Sequence, residues 1–162
     1  MTSSTSQTPE KRIALLNDLD YLQRYVGPLI VELADILKQP GVSAHSLMSY
    51  FIAGIQSGTL EVWVALKDNK PVGFTSFCVL GWPHYSTGMC NYIFMQEKDA
   101  ELTEQLYAKF PEFLKKNKLK YFAFHSQTKK LGEHFAQKWQ TYGLKVLKTE
   151  YLHTGKRKIG GN

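Results

Sequence analysis

LEVWVALKDNKPVGFTSFCVLGW (residues 60–82) runs apolar and polar side chains in alternation up to Lys67, turns at Asp68-Asn69-Lys70, and returns as a second, more apolar run. Side chains two apart on a strand share a face, so Leu60, Val62, Val64 and Leu66 make one apolar side. Two such runs joined by a short polar turn predict a β-hairpin. PHYSTG then interrupts the pattern, and MCNYIFMQ (residues 89–96) predicts a third strand, antiparallel to the second and largely buried. On that pairing Cys78 and Cys90 are expected to face each other across the two strands.

Before the hairpin the apolar period is helical. KRIALL (residues 11–16) reads as a first strand, and residues 17–41 place Leu19, Leu22, Val26, Leu29, Leu33 and Ile36 at helical spacing behind an expected N-cap at Asn17, with Pro28 expected to kink or divide the helix. A second helix starts at Ser43, carries Leu47, Phe51 and Ile55 on one face and stops near Gly58. After the third strand, Asp99 is the expected N-cap of a helix with Leu102, Leu106, Phe110, Phe113 and Leu114 on its apolar face, bent or restarted at Pro111. LKYFAFHS predicts a strand. A last helix carries Leu131, Phe135, Trp139 and Tyr142 and ends at Gly143, and LKVLKTEYLH predicts a final strand. The order predicts a mixed α/β domain, a mostly antiparallel central sheet flanked by helices, over residues 11–153. Residues 1–10 read as a flexible arm and 154–162 as a flexible basic tail.

Bulk properties agree with one ordinary globular domain: 162 residues, 43% hydrophobic and 13% aromatic. No apolar run approaches the roughly 18 residues of a membrane span, and the polar start is unlike a secretory signal, which predicts a cytoplasmic or otherwise intracellular protein without membrane contact. Two cysteines and five histidines on separate elements show no ligand spacing, so no metal is expected. Charge is uneven. Residues 1–108 sum to −4 and residues 109–162 to +10, which predicts a basic surface suited to an acidic protein partner. Nucleic acid is the less favoured partner, because no aromatic stacking motif accompanies the lysines.

The element order resembles the GNAT acyltransferase superfamily. KDNKPVGFTSF is similar to that family's hairpin with a glycine after the turn, NDLDYL to the start of its first helix, and FAQKWQTYGLKV to its helix that ends in glycine and enters a strand. The resemblance implies parallel pairing of MCNYIFMQ with LKYFAFHS through the helix between them. It also implies that an acyl-CoA pyrophosphate would be held in a basic, glycine-rich loop at the start of that helix. Here the loop is MQEKDAEL, without glycine and with Glu97, Asp99 and Glu101. Phe94, Met95, Gln96 and Lys98 are the candidates for coenzyme contact. Carboxylates at a helix start favour the helix but oppose an anion: two like charges about 4 Å apart repel by roughly 1 kcal/mol in water and about 4 in a partly shielded site.

Many members of the family place a tyrosine, as general acid, four residues before the helix-ending glycine, and Trp139 stands there. An indole N–H donates a hydrogen bond but no usable proton near neutral pH. Tyr142, Tyr107 and His125 could replace it by residue type. The resemblance therefore implies a GNAT-fold protein without its acetyl-CoA chemistry, needing no cofactor and working as a structural or interaction module. This is similar to the small GNAT-like components of tailed-phage virions, packaged in the particle, an analogy of fold. The alternative is an active N-acetyltransferase that takes an acetyl group from acetyl-CoA to an amine through an unorthodox coenzyme loop.

Overall fold

The computed structural model describes residues 7–81, 86–125, 129–149 and 152–157. One seven-stranded sheet, in the order β1-β2-β3-β4-β5-β7-β6, carries helices on both faces. Its strands are β1 (Lys11–Leu15), β2 (Leu60–Lys67), β3 (Lys70–Gly81), β4 (Ser86–Met95), β5 (Tyr121–His125), β6 (Leu144–Thr149) and β7 (Leu152–Arg157). β4 and β5 are parallel and every other neighbouring pair is antiparallel. The hairpin turn is tight, with Lys67 opposite Lys70 and both Asp68 and Asn69 at positive φ, 52° and 64°. Such a turn matches the twist of its strands, and Asp and Asn tolerate the left-handed conformation better than most residues.

The first helical region is divided, as Pro28 predicts: α1 (Leu19–Tyr21), a π-helical turn (Leu22–Val26) and α2 (Gly27–Leu37). Its cap is Asp18 rather than Asn17, since the Asp18 carboxylate accepts from the N–H groups of Asp20 and Tyr21. The wider π turn also moves the apolar stripe. Leu22, Val26, Leu29, Ile30, Leu33 and Ala34 are buried, while Ile36 points to solvent. α3 (Ala44–Ser57) starts at a reciprocal cap between Ser43 and Ser46 and ends at Gly58, in the left-handed conformation at φ 72°.

Sheet alternation sorts the core into two sides. Leu60, Val62, Val64, Leu66, Phe74 and Phe94 pack under α2 and α3. Phe77, Cys90, Phe122 and Phe124 pack under α4 (Ala100–Lys116) and α5 (Lys129–Gln140) with Phe110 and Trp139. Phe77 pairs with Cys90 and Cys78 with Met89, so the two cysteines lie one register step apart and on opposite faces. The expected face-to-face cysteine pair is therefore corrected. So is the tail: residues 152–157 form β7, inserted between β5 and β6, and only residues 158–162 of the expected tail lie outside the described chain. Residues 7–10 of the expected arm precede β1, and the Glu10 N–H donates to Asp68 Oδ1 at 3.0 Å.

Candidate functional site

At the end of β4 the chain turns into α4, and each carboxylate of that junction is committed within the protein. Asp99 Oδ1 accepts from the Leu102 N–H at 3.1 Å, capping α4. Its Oδ2 lies 3.0 Å from Lys11 Nζ, which also meets Glu101 at 3.3 Å. Glu97 pairs with Lys67 at 3.2 Å. The Leu102 N–H, then the Lys11 ammonium, hold the Asp99 carboxyl below its ordinary range, and Asp99 chiefly holds Lys11 above its own. A helix start is an anion site when its N–H groups are bare. Here the Asp99 carboxylate already takes the Leu102 N–H, so a built-in anion stands where the resemblance implies a pyrophosphate.

The four coenzyme candidates do not converge. Phe94 is buried against Phe74 on the α2/α3 side, and Met95 packs on the α4 side with Ala65, Val72, Leu102 and Leu106. Gln96 donates to Glu32 Oε2 of α2 at 3.1 Å. Lys98 is exposed.

Two of the candidate acids, Tyr107 and Tyr142, lie in the same α4/α5 cluster. Tyr107 is buried among Phe135 and Trp139, and burial raises its hydroxyl pKa. The Tyr142 hydroxyl donates to Glu104, which accepts from Lys138 as well. Burial and that carboxylate push the Tyr142 pKa up to about 12, so its proton is tied up in a clasp between α4 and α5. His125 ends β5 opposite Leu152 of β7. Its side chain, like Ser126, lies outside the described residues. Among the described residues no three His, Cys, Asp or Glu side chains gather as a metal site, and no helix is long and apolar enough to cross a membrane.

Sequence reasoning missed a cluster on the other side of β4. Ser76 pairs with Tyr92 but Phe77 with Cys90, leaving Asn91 as an extra residue in β4. A bulge turns consecutive side chains toward one face. Asn91 Nδ2 donates to the Tyr50 hydroxyl of α3 at 3.1 Å and to Cys78 Sγ at 3.4 Å, and Tyr92 packs on the same side. Burial, then Cys78, raises the Tyr50 pKa. The one available signal was a lone Asn in an otherwise apolar strand.

The bulge also marks where the parallel pairing stops. β4 and β5 pair from Thr87 with Tyr121 to Cys90 with Phe124, β5 ends at His125, and among the described residues β4 runs on to Met95 with β3 as its strand partner. Parallel strands joined by a crossing helix, their pairing ending beside a bulge, occur here in a chain that superimposes on a GCN5-related N-acetyltransferase from Ralstonia eutropha with a TM-score of 0.66, over 87% of this chain and 95% of that one. The chain has the GNAT fold. Sequence identity in that comparison is 12%. A predicted acetyltransferase from Clostridium acetobutylicum, solved with acetyl-CoA, is 15% identical with a TM-score of 0.62 over 84% of this chain and 89% of that one. The PaiA N-acetyltransferase from Thermoplasma acidophilum, solved with coenzyme A, is 12% identical with a TM-score of 0.60 over 91% and 99%. No protein-family model matches the chain, and no curated protein matches it by sequence. At these identities the likeness carries the GNAT fold and leaves activity to the residues.

Proposed function

We propose that this chain uses the GNAT fold as a binding and structural module, its coenzyme end closed by its own side chains. The observation that supports this reading is the Asp99 carboxylate on the Leu102 N–H in the first turn of α4, held there by Lys11. Incoming pyrophosphate would have to displace a cap, break an ion pair and approach Glu101. Trp139 supports the same reading, being fully buried where the family's acid would stand. Incorporation into a phage virion is one setting for such a module.

The second reading, an N-acetyltransferase acting on an amine, is supported by the end of the β4–β5 pairing at Cys90, past which residues 92–95 have, among the described residues, a strand partner on one side only. An open strand edge can pair with an extended, amide-bearing ligand such as the arm of acetyl-CoA. Thermal unfolding separates the two. With acetyl-CoA at about 1 mM, a site with a dissociation constant near 10 μM would add about 2.7 kcal/mol, a rise of roughly 5–10 °C. The binding-module reading expects no rise beyond that of a matched nucleotide control. Saturable stabilisation by acetyl-CoA would overturn it.

A further inference from the structure

The end of α4 remote from the capped junction presents Lys115, Lys116, Lys118 and Lys120 within six residues, all exposed. The described ion pairs give Lys116 a carboxylate, Glu61 at 2.6 Å, and give none to Lys115, Lys118 or Lys120. Beside them lies a cavity of about 450 Å³, with Phe113 and Val79 as its apolar walls and Glu61, Lys116 and Asn117 among its polar ones. Val79, near the end of β3, is 44% exposed. Lysine at a helix C-terminus has a local use, since cations favour the last carbonyls. That accounts for Lys115 and Lys116. It does not account for Lys118, which lies past the helix, or for Val79 left open to water on the α4 side of the sheet; Lys120, also past the helix, lies over the Tyr121 ring at 5.7 Å.

We infer that this surface docks an acidic protein segment that inserts an apolar side chain between Val79 and Phe113. The carboxylate in the cavity wall is what selects protein over nucleic acid. Glu61, already shared between Lys116 and the Trp63 indole N–H, would repel a phosphate brought to that spot but tolerates an uncharged side chain beside it. Outer lysines then meet the flanking acids, which governs encounter and salt dependence. The inference rests on the binding-module reading and names its partner class. Stabilisation by acetyl-CoA would overturn that reading at the other end of the molecule without changing the result here.

Three fluorescein-labelled probes test it on the full chain by anisotropy: the peptide Asp-Glu-Asp-Leu-Leu-Asp-Glu-Asp, the same peptide with serines for both leucines, and a thymidine oligonucleotide of equal charge. Saturable binding of the leucine peptide is expected, weaker for the other two, and falling as salt rises from about 0.05 to about 0.5 M. Lys115→Glu/Lys118→Glu/Lys120→Glu should weaken it by roughly tenfold or more, and Val79→Asp should do likewise. If the triple variant melts early, Lys118→Glu alone carries the test with a roughly twofold loss. No saturable binding, or affinity unmoved by these variants, overturns the proposal. Equal binding of the serine peptide removes the cavity from it, and tighter binding of the oligonucleotide assigns the surface to nucleic acid instead.

Discussion

The indole N–H of Trp139 donates to the backbone carbonyl of Tyr107 at 3.2 Å, and that carbonyl is the one Pro111 leaves without a helical partner. Proline has no N–H to give to the residue four before it, yet α4 runs unbroken from Ala100 to Lys116 with Pro111 inside. Trp139 thus repairs α4 from α5. Trp139→Phe should cost about 2–4 kcal/mol, from lost volume and an unpaired buried carbonyl. Trp139→Tyr should also destabilise and produce no acetyl transfer. Urea unfolding and an acetyl-CoA turnover assay check the two halves.

Removing the cap at the other end of α4 has a smaller cost. Asp99→Ala should lower stability by about 1–2 kcal/mol, a fall of a few degrees in melting temperature. Its carboxyl is held low by the Leu102 N–H and Lys11, and that of Glu104 by Lys138 and Tyr142. A depressed folded-state pKa contributes stability above the unfolded value, about 3.9 for Asp and 4.3 for Glu, and loses it as pH falls through the folded value. Stability should therefore drop below about pH 4, with a shallower slope in Asp99→Asn. Denaturant titrations across that range measure both.

A Cβ on Gly73 would come within 2.5 Å of the Phe94 carbonyl oxygen and also strike the Met95 sulfur. Because one obstacle is backbone, relaxation must move β4 against β3. Gly73→Ala should cost about 1–3 kcal/mol, read as a shift in the urea midpoint.

Thiol chemistry should separate the two cysteines. Cys90 is buried beside Thr75, and burial pushes its pKa up to about 12, whereas Cys78 is half-buried beside Asn91. One thiol should react with Ellman's reagent in the folded protein, and two after unfolding. Oxidation should leave no internal disulfide. A disulfide would contradict the opposite-face register, and two protected thiols the partial exposure of Cys78.

The hairpin at residues 60–81, the caps at Ser43 and Asp99, the apolar face of α4 and the parallel β4–β5 crossover were legible in the chain alone. Each depends on the local period of apolar residues, on turn chemistry, or on a resemblance in element order. Other features depend on partners distant in sequence. LKVLKTEYLH reads as one last strand and residues 154–157 as tail, because TGKR has no apolar alternation; the structure has two strands there, β6 ending at Thr149 and β7 starting at Leu152, and backbone pairing with β5 and β6 makes the second. Asn91 is an ordinary strand residue until β3 pairs with β4 out of step around it. Glu97, Asp99 and Glu101 announce a poor phosphate site by composition, but only the sheet brings Lys11 and Lys67 to them. Trp139 reads as a missing acid in the sequence; in the fold it donates to the carbonyl that Pro111 leaves open. Local periodicity specifies elements because it acts through neighbours in the chain, while ion pairs, bulges and shared hydrogen bonds are fixed when the elements meet.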